Sequence, residues 1–163
     1  MDVDEFRNWL RDEAAARTID EMIAAIDREV AALEAAIARI HDDAFVATAP
    51  GEEWSPARCL VHVVETNVEV ATNVLHVALA GELPAAMQPA PLPADRDGLL
   101  RANREALDSL YEHLRAADPA AFLDLTWNHF IAGDLNWREW TVFVEAHVWD
   151  HAGQLSAMAD SRA

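Results

Sequence analysis

From Thr18 to His41 the chain runs without a glycine or proline, and its large apolar residues fall at Ile19, Met22, Ile23, Ile26, Val30, Leu33, Ile37 and Ile40. That spacing of three and four matches one stripe of an α-helix. A long helix with a single apolar stripe must bury it against another element, so this segment demands packing partners. The rest of the chain supplies them in kind. Alanine makes up about a fifth of the sequence, and there are only 5 Gly and 7 Pro in 163 residues. Such a composition favours helix, and the expected class is all-α. A chain of this length suits one domain with a sizeable core, so residues 1–163 are expected to form a single helical bundle.

The punctuation divides the remainder. Asp4 to Ala16, with Phe6, Trp9 and Leu10, predicts either a short N-terminal helix or an extension of the long one. Ser55-Pro56 provides an N-cap and a first-turn proline for a helix running to Ala80, where Gly81 stops it. Pro84, Pro89, Pro91 and Pro93 make a stiff connection. Asp95 or Asp97 opens a further helix through Leu99, Leu100, Asn103, Leu107, Leu110 and Leu114, which ends before Asp118-Pro119. Phe122 to Leu135 is expected to be loop or short extended structure around Gly133. Asn136 followed by Glu139 has the form of a capping box and launches the last helix. Four main helices with moderate connections predict a four-helix bundle with a short N-terminal helical extension.

The last helix carries His147 and His151, four residues apart and therefore on one face. The same face carries Trp140, Phe143, Gln154 and Met158, a stripe that looks inward. Two imidazoles in an apolar wall need partners for their ring nitrogens. A shared divalent cation satisfies one nitrogen on each; ordinary buried hydrogen bonds satisfy them equally. A metal site open to water or substrate wants a third protein ligand from another helix. His62, two turns into the Ser55 helix, is the best candidate. Its stripe of Glu65, Thr66, Glu69, Asn73 and His76 fits a wet cleft wall and plain surface alike.

Taken together, the Trp54-Ser55-Pro56 helix start followed by His62, then Asn136-Trp137-Arg138-Glu139-Trp140, then His147-x-x-x-His151-Ala152-Gly153-Gln154-Leu155, resembles the DinB/YfiT-like superfamily. The likeness spans nearly the whole chain. It implies a four-helix bundle holding one divalent metal through one residue of the second main helix and two of the last. Matched motif by motif, these places fall on His62, His147 and His151. Zn, Ni and Fe(II) all accept three imidazoles. The resemblance further implies frequent homodimers and, in some members, transfer or isomerisation chemistry using a low-molecular-weight thiol such as bacillithiol or mycothiol. Other relatives are regarded as metal-dependent hydrolases. The expected function is thus a metal-dependent enzyme in which the ion activates water or a thiol. The rival reading is a non-catalytic metal- or small-ligand-binding stress-response protein.

Charge narrows the partners. The formal net charge is −17, with 29 acidic against 12 basic residues, all of the latter Arg. Phosphate backbones are repelled by such a chain, and nucleic acid is not an expected partner. With no Lys and no Gly-rich loop, Schiff-base chemistry and a P-loop are excluded. No apolar run reaches the ~20 residues of a membrane span, and Met1-Asp2-Val3-Asp4-Glu5 lacks a basic start, so a cytoplasmic location is expected, with no membrane partner. The single Cys59 rules out an internal disulfide and suits a small core hydrophobe better than a reactive thiol. Glu65 and Glu69 are candidate general bases beside the metal, with solvated surface the stronger reading. Asp150 adjoins His151, yet neighbours at i+1 diverge on a helix. His41, His76, His113 and His129 have no partner at ligand spacing and receive no role. Trp127, Trp137, Trp140 and Trp149 fit a pocket wall, core or a subunit interface.

Overall fold

A computed structural model describes residues 2–84 and 91–162. Pro89 lies outside the described residues. The chain forms α1 (Val3–Ala16), α2 (Ile19–Ala38), α3 (Asp42–Phe45), α4 (Pro56–Ala80), α5 (Arg96–Ala116), the strands β1 (Thr126–His129) and β2 (Gly133–Asn136), and α6 (Trp137–Asp160). The helices α2, α4, α5 and α6 are the expected four-helix bundle, and α1 is the N-terminal extension.

Capping sets most boundaries. The segment before Thr18 is a helix of its own, because Arg17 and Thr18 both adopt extended backbone and Thr18 begins a new capping box with Glu21. The long helix ends at Ala38 rather than His41, and His41 instead precedes the four-residue α3. Ser55 accepts from the Arg58 amide with Pro56 in the first turn of α4. At the far end Gly81 takes φ of 67°, where the Phe122 ring lies against it; an added Cβ would come within 2.4 Å of that ring. Of the two aspartates proposed to open α5, Asp95 is the cap, accepting from the Gly98 amide at 2.8 Å. Phe122 to Leu135 includes an antiparallel hairpin in which Trp127 pairs with Leu135 and His129 with Gly133.

The core lies among the four main helices, where Ile26, Leu33, Leu60, Leu107, Leu110 and Trp137 are fully buried. Each such side chain contributes about 1.5–3 kcal/mol by leaving water. α6 packs against both α2 and α4, α5 packs on α4, and α1 lies along α6. Arg138, buried to 9% exposure, fastens α1 by donating to the Ala14 carbonyl at 2.7 and 3.0 Å and to the Arg17 carbonyl at 2.6 Å. These are carbonyls that a helix end leaves without intrahelical partners. Among the described residues no helix is long and apolar enough to cross a membrane.

Candidate metal centre

Near its start α4 lies against the second half of α6, and three imidazoles meet there. His62 Nε2 and His147 Nε2 are 3.1 Å apart. Ligand atoms of His62, His147 and His151 all lie within 4.8 Å of one another. The ring centroids of each pair are separated by 5.0, 5.1 and 4.6 Å for His62–His151, His62–His147 and His147–His151. The i, i+4 spacing on α6 aligns two rings, and the antiparallel course of α4 delivers the third.

The protonation states suit a cation. Burial, with His151 and His62 adding to it, pushes the His147 imidazole down to about 3. Burial also lowers His62, followed by the proximity of His151. Both rings are therefore neutral at pH 7, each with one bare nitrogen lone pair. Tetrahedral Zn–N bonds of about 2.0–2.1 Å place ligand nitrogens roughly 3.3 Å apart. The 3.1 Å approach of the two Nε2 atoms is close to that spacing. The donor set and its geometry fit a divalent ion.

Further contacts orient the cluster. His151 Nδ1 lies 2.9 Å from Gln154 Oε1, so the Nδ1–H donates to the amide oxygen and Nε2 is left as the lone-pair nitrogen. The Cys59 thiol also reaches Gln154 Oε1, at 3.5 Å, and lies 3.6 Å from His151 Nδ1. Burial, with Asp150 next, pushes that thiol up to about 12, which keeps it protonated and unreactive. Trp54, in the loop before α4, stacks on His151 at 6.1 Å and meets His62 edge-on at 5.0 Å. His147 Nδ1 is buried and makes no hydrogen bond.

A cavity of about 710 Å³ opens on the three imidazoles. Neither Glu65 nor Glu69 lines it; both side chains are exposed. Asp150 is at the cavity edge but makes no hydrogen bond to His151, whose Nδ1 is taken by Gln154. Of the four tryptophans considered for a pocket wall, Trp149 lines the cavity, Trp137 and Trp140 are core, and Trp127 is partly buried and stacks on Trp140. His129 is the residue that sequence reasoning passed over. It lines the cavity at 3% exposure, and its Nδ1 accepts from the amides of Ile131 at 3.2 Å and Ala132 at 3.0 Å. Those partners are backbone groups brought in by a turn, so no side-chain spacing announces them. The signal in the sequence is a His three residues ahead of Ala132-Gly133.

A helical bundle in which facing helices gather three imidazoles is built like a bundle metal-binding protein. The chain belongs to the DinB superfamily, whose family model matches residues 25–155. No curated protein and no solved structure gave a significant match.

Proposed function

We propose that His62, His147 and His151 hold one divalent metal ion, Zn, Ni or Fe, and that the protein is a metal-dependent enzyme acting on a small molecule. The observation that carries this reading is the 3.1 Å approach of His62 Nε2 to His147 Nε2 with a His151 nitrogen in the same cluster. Held by these three histidines, such an ion would supply Lewis-acid chemistry able to activate water, for hydrolysis, or a low-molecular-weight thiol, for transfer or isomerisation.

The chain's own residues do the arranging. Gln154 fixes the His151 tautomer, and Trp54 packs against the His62 and His151 rings. The cavity that opens on the same imidazoles offers room for a substrate. Among the described residues lining it, Glu145 and Glu29 are paired with arginines: Glu145 with Arg17 and Arg28, and Glu29 with Arg28. Glu29 and Glu145 are thus held in ion pairs, while Asp150 lines the cavity with no arginine partner among the described residues.

Elemental analysis of the untagged protein tests the proposal. About one metal per chain is expected, falling sharply in His62→Ala, His147→Ala and His151→Ala while the far-UV spectrum is kept. Wild-type metal content in all three variants would overturn it.

A further inference from the structure

The mouth of the cavity is built from exposed apolar side chains held in place by polar contacts. Phe130 is 86% exposed, Trp149 65% and Ile131 46%, and all three line the cavity together with Phe6 and Trp9 of α1. Phe130 and Ile131 sit in the turn between β1 and β2, yet that turn is pinned twice. His129 Nδ1 takes two of its amides, and the Arg7 guanidinium donates to the Ala132 carbonyl. A pinned turn that presents two large apolar side chains to water is a wall waiting for contact, and a ligand meeting it spends little on ordering it. The concavity falls within the ~300–1,000 Å³ typical of small-molecule sites.

Away from the three imidazoles, the charges lining the cavity disfavour an anionic group on the body of a ligand. Beside the imidazoles, the described lining residues carry Arg28, Glu29, Glu145 and Asp150. Arg28 is already engaged, with Nε 2.9 Å from Glu29 and Nη2 3.4 Å from Glu145. No lining arginine is left over to meet a carboxylate or phosphate, and the acidic groups repel one.

We infer that the substrate or ligand of this site has an uncharged aromatic or apolar body, seated between Phe130, Ile131 and Trp149, with its reacting end turned to the three histidines. The orientation of the reacting end rests on the proposed metal centre; the seating of the body does not.

Equilibrium dialysis of the full chain, with metal content measured on the same sample, tests this with two probes sharing one ring system. Naphthalene-2-methanol is expected to bind at one site per chain, at least about tenfold more tightly than naphthalene-2-sulfonate. Phe130→Ser and Trp149→Ser should each weaken the neutral probe about fivefold or more, the effect of losing part of one aromatic contact, without changing metal content. Val46→Ser removes an exposed apolar side chain that does not line the cavity and should change nothing. The inference falls if neither probe binds, if the sulfonate binds as well as the alcohol, or if Val46→Ser weakens binding equally. It falls too if binding fades as protein concentration rises, for then a second copy of the chain covers the patch. Metal without probe binding sinks this inference alone; probe binding without metal sinks only the proposed function.

Discussion

Gln154 Oε1 stands 2.9 Å from His151 Nδ1 and so decides which nitrogen of that ring is free. In the sequence Gln154 is simply the residue one turn beyond His151. In the fold it is the acceptor that turns the His151 lone pair toward His62 and His147. Gln154→Leu is expected to weaken metal binding about 10–100-fold, as losses of such supporting contacts do, while Gln154→Glu, which keeps an acceptor, restores much of it. Competition with a chromophoric chelator reads both constants. Unchanged affinity in the leucine variant would remove Gln154 from the site.

Removing the ion is not expected to unfold the protein. The core of Ile26, Leu33, Leu60, Leu107 and Leu110 is complete without it. Chelation should leave the far-UV helical signal at 25 °C nearly intact. The thermal midpoint should drop by roughly 10 °C, the effect of about 3–4 kcal/mol of linkage lost from a site saturated at 100 to 1,000 times its Kd. Loss of most helical signal on chelation would make the metal structural.

Because two backbone amides donate to His129 Nδ1, the proton of the neutral ring sits on Nε2. Burial holds this imidazole below its ordinary value. The sign follows: the unfolded chain takes up the proton first, so the stability carried by neutral His129 is complete above pH ~6.5 and declines as pH falls through the folded value. Long-range ¹H–¹⁵N spectra should show the Nε2–H tautomer at pH 7.5 and a titration midpoint below 6.5. An Nδ1–H tautomer, or a midpoint above that value, would contradict the geometry.

Arg138 is expected to matter more than a buried arginine in a bundle ordinarily would. Arg138→Met strips the partners from the Ala14 and Arg17 carbonyls, at a cost of about 3 kcal/mol and a fall in thermal midpoint of roughly 6–12 °C. Limited trypsin digestion should then cut earlier at Arg17. Wild-type protease resistance would show that α1 is held by its apolar face and by the Arg7 and Arg17 contacts without Arg138.

A homodimer is also expected, on the family resemblance. The tryptophan content gives no separate argument, since Trp137 and Trp140 are buried and Trp149, the one left largely exposed, belongs to the cavity mouth. Light scattering at tens of micromolar checks this; a monomer mass counts against it.

The sequence was most informative where structure is local. Ser55-Pro56, Gly81 and the Asn136–Glu139 capping box each act within one turn, and each sits where its chemistry requires. The inward stripe of α6 was equally plain, because helical periodicity alone puts Trp140, Phe143, His147 and His151 on one face. The role of His62 depended on how α4 crosses α6, and its own stripe of Glu65, Thr66 and Glu69 left its orientation open. Glu65 lies one turn from His62, but it is exposed and does not line the cavity. His129 and Arg7 were out of reach. They act on main-chain groups of a three-residue turn, and Arg7 does so from 125 positions away.

All three clustered histidines fall inside residues 25–155, the stretch shared with the DinB superfamily, whereas Phe6, Arg7 and Trp9 fall outside it. The helix that supplies one wall of the cavity and a pin for the opposite turn is thus separable, in the chain, from the part that gathers the imidazoles. What the site accepts could diverge through changes in the first sixteen residues while the histidine cluster stayed as it is.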